Sequence, residues 1–259
     1  MKTRLVHGLS PVAVLLGLIA LWWGLSSSGW VSRVFLPSPQ ATLASLAEGL
    51  NLAGRSDGRG ELLTFTGQTV QRMLLGWLLA SFLGIALGAV IGVSSAARTW
   101  VQPMLEFLRP LPASALMPLA ISIFGLNPTM VLFVVGFGAM WPVLLATIHG
   151  FATVATVLQE MARCLQLSRM AFVWKVGLPN AMPDILAGMR LSMTVSLIVS
   201  IVGEMIASQP GLGQAILLAA RSFRAADLFA GIVLLGLIGF GSNVLLAAVE
   251  RRLLRWQKS

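Results

Sequence analysis

Gly92-Val93-Ser94-Ser95 sets a serine in a Gly-x-Ser-x frame, and His149 could act as its base, the pairing an intramembrane serine hydrolase would need. The motif is weak. The chain holds 26 glycines, so Gly-x-Ser arises easily, and no oxyanion donor is identifiable. His7 and His149 are far apart and Cys164 stands alone, so neither a metal-ligand cluster nor an internal disulfide is expected. No Gly-x-x-x-x-Gly-Lys-Ser/Thr loop is present, so ATP is not held by that device. No catalytic residue, metal or cofactor is therefore expected. Other residues have stronger claims. Glu204 is the one acid well inside an apolar run, near its outer end, where it reaches water or the following turn and would serve as a gate or partner contact. Ser192, Ser196 and Ser200 recur at i, i+4 and i+8 on one helix face, suited to close packing or to lining a path for a polar solute. Pro110, Pro112 and Pro118 would free backbone carbonyls within the bilayer, which is tolerated where the backbone lines a cavity. Arg221, Arg224 and Asp227 read by default as solvated loop charges, able to attract an anion.

These residues sit in a chain built for lipid. Of 259 residues, 57% are hydrophobic and 10% charged, with mean hydropathy +0.87. That composition excludes a water-soluble surface and excludes disorder. An all-α, polytopic helical bundle in the membrane remains. Charge-free runs mark about six spans, since a bilayer core needs about 20 apolar residues per helix. They are Leu5–Ser32 around the apolar stretch Val12–Leu25, Met73–Ala97, two spans within Pro110–Gln159, about Gly188–Ala207, and Leu228–Val249. Asn127-Pro128 divides the third from the fourth, because Asn-Pro favours a turn. The third is short and broken by prolines. Gly76, Gly84, Gly88 and Gly92 form a close-packing face on the second span. Trp22, Trp23, Trp100, Trp141 and Trp256 fall mostly near span ends, as interfacial anchors do.

The net charge of +9 follows from topology. With the N-terminus inside, Lys2, Arg4, Arg98, Arg109, Arg163, Arg169, Lys175, Arg190, Arg251, Arg252, Arg255 and Lys258 lie inside. Arg33, Arg55, Arg59, Arg72, Arg221 and Arg224 lie outside. The two-to-one bias predicts both termini in the cytoplasm and removes any need for nucleic acid as a partner. Met1-Lys2-Thr3-Arg4 before an apolar stretch imitates a signal peptide, but without a clear small-residue cleavage site it is expected to stay. Gly54–Gly60 reads as a surface loop. The whole of 1–259 is one transmembrane domain.

Between the fourth and fifth spans, residues 157–183 are too polar to cross. Leu158, Met161, Ala162 and Leu165 fall at i, i+3, i+4 and i+7, an apolar stripe opposed by Gln159, Glu160, Arg163 and Gln166. Such a helix lies at the membrane face, where it either packs on its own bundle or seats in a partner's groove. Leu178-Pro179 is expected to end a second short helix.

Glu160-Met161-Ala162, Ser168, Leu178-Pro179 and Pro183 together resemble the "EAA" loop of the permeases of binding-protein-dependent ABC importers. The resemblance extends to Leu36-Pro37-Ser38-Pro39, Arg109-Pro110-Leu111-Pro112-Ala113, Pro118, Phe124-Gly125, Ala207 through Gly211-Leu212-Gly213, and Glu250-Arg251-Arg252. It covers most of residues 30–257 and is similar to the nitrate/sulfonate/taurine/bicarbonate branch. Met161 replaces the family's first alanine, and Gln166 stands where its glycine is expected, so the loop's tight turn is expected to be made differently.

The resemblance implies a permease in the bacterial inner membrane, with no enzymatic activity of its own. Its partners would be a second permease copy, a cytosolic ABC ATPase dimer, an extracytoplasmic solute-binding protein and membrane lipid. ATP-driven closure of the ATPase pair would move the spans as rigid bodies and give alternating access. Glu160, Arg163 and Ser168 would make polar contacts to the ATPase, and Met161, Ala162 and Leu165 would fill its groove. Ser192, Ser196, Ser200, Glu204, Pro112 and Pro118 would serve the path or gate. A secondary transporter, the alternative of another class, would work without ATP and usually shows an inverted repeat, which this sequence lacks.

Overall fold

The computed structural model describes residues 2–50 and 61–255, with side chains from Ala13 onward. The Gly54–Gly60 loop with Arg55 and Arg59, Trp256 and Lys258, and the side chains of Lys2, Arg4 and His7 lie outside the described residues. All regular structure among the described residues is helical. In chain order the helices are α1 (Lys2–Ser27), α2 (Pro39–Gly49), α3 (Glu61–Val93), α4 (Ser95–Leu108), a 3-10 turn (Ala113–Leu116), α5 (Met117–Phe124) and α6 (Pro128–Ala152). They continue with α7 (Thr156–Cys164), α8 (Arg169–Phe172), a π turn (Val173–Gly177), α9 (Leu178–Ala207), α10 (Leu212–Arg221) and α11 (Ala225–Leu253).

Local capping chemistry sets several of these starts. The Asn127 side chain accepts from the Met130 N–H at 3.0 Å, and Pro128 occupies the first turn of α6, where its missing donor costs nothing. The expected division at Asn127-Pro128 is therefore a capped helix start. Ser94 Oγ accepts from the Ala97 N–H and starts α4, so the second span ends at Val93 and not at Ala97. Pro112 precedes the 3-10 turn and Pro118 lies in the first turn of α5. These two prolines open helices where no donor is needed.

Four helical segments are long and apolar enough to cross a membrane: Glu61–Val93, Pro128–Ala152, Arg169–Ala207 and Ala225–Leu253. The α4 and α5 segments form a pair bent by 80°, and together they pass the same test as one broken span. The first expected span corresponds to α1, whose stretch Ala13–Ser27 is apolar. Helix direction supports counting the bent pair. Gly84 and Gly88 of α3 face Val143 and Thr147 of α6, so these two helices run parallel, and α4–α5 must carry the chain back between them. α9 runs antiparallel to α6, with Gly188 against Ala146 and Gly203 against Val131. Helices α3, α6 and α9 make the packed centre, and α2, α10 and α11 lie around it.

The α3 glycines act as expected. A Cβ built at Gly88 would stand 2.6 Å from Thr147 Cβ, so only a hydrogen at this position lets α3 and α6 approach so closely. In lipid such approach is what holds helices together, because apolar side chains gain nothing by leaving hydrocarbon for protein. Trp141 departs from the anchoring expectation. It is buried within the bundle and meets Phe137 edge-on, with ring centroids 5.5 Å apart. Trp22 also has a packing role: it donates to the Pro37 carbonyl at 3.1 Å and stacks on Phe229 of α11.

The expected stop at Leu178-Pro179 is not there. Helix runs without interruption from Arg169 to Ala207. Leu178 N–H bonds to the Val173 carbonyl, one residue further back than in an α-helix. That wider turn opens the ladder just where the Pro179 ring would otherwise crowd the preceding carbonyl.

Candidate functional site

The loop helix α7 forms where the apolar stripe placed it, but the stripe divides. Ala162 is 6% exposed and packs within this chain, whereas Met161 is 53% and Leu165 67% exposed. Glu160, Arg163 and Ser168 also lie on the exposed side. Ala162 therefore does not belong to the face that a partner could cover. Ser168 caps α8, its Oγ accepting from the Ala171 N–H at 3.2 Å.

The turn after α7 keeps the geometry that a glycine would give. Leu167 N–H bonds to the Ala162 carbonyl and Gln166 N–H to the Arg163 carbonyl, both at 3.0 Å. This is a Schellman pair, with Gln166 in the left-handed region at φ 51°. The replacement of glycine thus leaves the turn type intact, against expectation, because two backbone bonds hold the glutamine in a conformation it disfavours.

At the opposite end of the bundle, Glu204 is fully buried, so of its two expected environments, water and the following turn, it has the turn. Thr69 Oγ1 donates to its carboxylate at 2.9 Å, Arg72 Nη1 at 2.8 Å and the Gly213 N–H at 2.9 Å. Arg72 also donates to the Pro210 carbonyl at 2.7 Å, and Thr69 Oγ1 accepts from the Leu212 N–H at 2.9 Å. The result is a clasp: α3 grips the turn between α9 and α10 through one ion pair and a closed set of hydrogen bonds. Each buried group of the set has partners, the condition under which a buried charge is tolerated. Gly211 is required here, since a Cβ would run into the Glu204 carboxylate. Sequence reasoning missed Thr69 and Arg72. The available signal was a hydroxyl and a guanidinium one turn apart at the start of an apolar helix.

The α9 serines are fully buried. Ser192 Oγ donates to the Ala139 carbonyl of α6 and Ser196 Oγ to the Met73 carbonyl of α3, both at 2.6 Å. These two bonds tie α9 to α6 and α3, whereas Ser200 Oγ is buried with no hydrogen-bond partner among the described residues. Ser94 is occupied as the α4 cap. Among the external charges, Asp227 accepts from Ser45 Oγ at 2.6 Å and pairs with Arg224 at 3.2 Å, joining α2 to the start of α11. At the loop end Arg190 pairs with Glu250, fastening α9 to α11.

A bundle of parallel and antiparallel apolar helices with an amphipathic loop helix at one end defines a polytopic helical membrane protein. The profile of the family described as "Binding-protein-dependent transport system inner membrane component" matches residues 80–255, and the chain belongs to that family. It is a multi-pass inner-membrane protein. Among its relatives is the "Putative aliphatic sulfonates transport permease protein SsuC" of Bacillus subtilis (strain 168), 32% identical over 242 residues, covering 93% of this chain and 85% of that protein. The "Taurine transport system permease protein TauC" of Escherichia coli (strain K12) is 31% identical over 247 residues, covering 95% and 88%. In fold, the chain is similar to one from a structure of the MetNI methionine ABC transporter in inward-facing conformations, with TM-score 0.68 and 17% identity over 77% of this chain and 99% of that one. The branch that the sequence motifs resemble is the one these relatives occupy.

Proposed function

We propose that the chain is the translocation subunit of an ABC importer for a small oxyanion of the sulfonate or taurine type, working as a homodimer. The carrying observation is the similarity, over nearly the full length, to permeases named for aliphatic sulfonates and taurine. A cytosolic ATPase dimer docks on residues 157–183, and a solute-binding protein delivers the solute from the other side. Both termini and the loop are cytoplasmic, and 1–259 acts as one transmembrane domain.

Docking rests on the exposed part of α7–α8: Glu160, Met161, Arg163, Leu165 and Ser168. Ala162 supports it from beneath. Because α8 continues through the π turn into α9, force on the loop passes along one continuous helix into the centre of the bundle. Ser192, Ser196 and Glu204 serve the path by fixing α9 against its neighbours, Ser200 lies on the same buried face, and Pro112 and Pro118 shape the broken span that borders it.

The test is a mild-detergent pull-down of the tagged chain from native membranes, with mass spectrometry of what co-purifies. A stoichiometric ATPase subunit in the wild type, lost in Glu160→Lys while membrane insertion persists, is the expected result. Repeated recovery of the intact chain alone would remove the ABC assembly from the reading.

A further inference from the structure

We propose that the π turn at Val173–Gly177 is a hinge, about which the docked ATPase rocks α7 and α8 against the ends of α3 and α6. The inference rests on the docking reading and deepens it: the loop's movement enters α9 through one joint in an otherwise continuous helix.

Defects in the helix ladder cluster between residues 173 and 183. Leu178 N–H bonds to the Val173 carbonyl, so the turn is wider than an α-helical one. Pro179 offers no N–H to the Lys175 carbonyl, and Pro183 none to the Pro179 carbonyl, the partners that α geometry would assign. Each missing bond lowers the resistance to bending, which is why helix kinks gather at prolines and π turns.

The chain is held differently on the two sides of this weak stretch. Directly above the turn, α9 is pinned to the end of α6. Gly177 lies against the Phe151 ring, where a Cβ has no room, and Gly150 meets Ala181. Asn180 Nδ2 donates to the Gly150 carbonyl at 3.1 Å. Below the turn, α8 buries none of its residues. A fixed segment and a free one meeting at a weakened turn make the arrangement of a hinge. At its far end the loop stays attached, because Gln159 Nε2 donates to the Val154 carbonyl at 2.8 Å. The movement is therefore a rocking of the loop and not its release.

Room for that movement lies beside the hinge. A cleft of about 290 Å³ separates Gly92, Arg98 and Ala152 at the bundle ends from Ala162, Arg163 and Arg169 of the loop. Arginines stand on both walls, and no carboxylate lines the space. Like charges keep such a cleft open in the chain alone. Closing it takes force from outside, which a docked partner would supply.

The experiment measures hydrogen exchange by mass spectrometry on the purified permease–ATPase complex in lipid nanodiscs, nucleotide-free and trapped with ADP and vanadate. In the wild type, protection of the peptide covering 173–178 is expected to differ between the two states, while that of α9 beyond Pro183 stays the same. Pro179→Ala gives the Lys175 carbonyl its donor back. The joint should then exchange about threefold to tenfold more slowly, the worth of one backbone hydrogen bond, and lose its dependence on state. This variant should assemble and hydrolyse ATP while most import is lost, read in cells with whichever of tritiated taurine and butane-1-sulfonate the wild type accumulates. Ala152→Trp fills the cleft from the exposed end of α6 and should likewise assemble, hydrolyse ATP and lose import. If Pro179→Ala fails to assemble, wild-type exchange and Ala152→Trp carry the test.

A wild-type joint whose protection is the same in both states would overturn the hinge. So would wild-type import by Ala152→Trp, or by an assembled Pro179→Ala whose joint exchanges more slowly. In each of these cases a complex that assembles and imports leaves the docking reading standing. A wild-type chain with which no ATPase co-purifies takes both readings down.

Discussion

Glu204 carries its charge with protein on every side, held by Thr69, Arg72 and the Gly213 N–H. Removing one partner of a buried ion pair typically costs about 3–5 kcal/mol, because the other charge is stranded. Glu204→Ala is therefore expected to lower the melting temperature of the purified complex and the yield of monodisperse protein in fluorescence-detected size exclusion. Arg72→Ala should do the same. The double variant should lose clearly less than the two single losses added, since the groups act together; strict additivity would show that no coupled clasp exists. At Gln166 the sign reverses. An L-residue in the left-handed region costs about 1–2 kcal/mol, and glycine's larger entropy loss of about 0.5–1 kcal/mol offsets part of the relief. Gln166→Gly should leave the loop turn unchanged and raise the melting temperature slightly; a clear drop would show that the glutamine side chain is needed for more than the turn.

Between elements, burial separates the two sides of α7. Ala162 faces its own bundle, and Leu165 is exposed. Ala162→Phe is expected to fail in folding, with aggregation in detergent and poor membrane recovery. Leu165→Glu is expected to insert and purify normally and to lose the ATPase at the pull-down step. The opposite pattern, a well-folded Ala162→Phe that loses only the ATPase, would place Ala162 on the docking face after all. The α3–α6 seam makes a further prediction. Gly88→Val puts two methyl groups where even a Cβ lies 2.6 Å from Thr147 Cβ. Helix separation should cost more here than at Gly241 of α11, where an added Cβ meets nothing within 4 Å. Comparing the melting temperatures of Gly88→Val and Gly241→Val tests this directly.

For the molecule as a whole, the sole cysteine reports topology without any substitution. Cys164 is exposed at the end of α7. With the loop in the cytoplasm, a membrane-permeant maleimide should label intact cells, and a charged, impermeant one should label only after the membrane is opened. Labelling of intact cells by the impermeant reagent would invert the topology and place the ATPase-docking loop on the wrong side. The helix directions give that experiment reach, because α3, α6 and α11 end at the same side as Cys164. One reagent therefore orients the bundle.

The sequence by itself determined the solvent, the approximate spans, the Asn127-Pro128 division, the amphipathic loop and the glycine seam. Each of these depends on neighbours within a turn or two, and a bilayer amplifies them by demanding long uncharged runs. The motif resemblance added the family. Only the tertiary structure decided which faces meet. In hydrocarbon an apolar side chain gives the same signal whether it touches lipid or protein, so nothing local marked Trp141 as buried or Ala162 as turned inward. The pairing of Arg72 with Glu204 spans 132 residues. Legibility failed there for a further reason: a charge near a span end reads as solvated until the opposite charge is brought against it by packing. The π turn at Val173–Gly177 was hidden in the same way, since a proline announces a break, and only a helix held at both ends by the bundle shows how the break is absorbed.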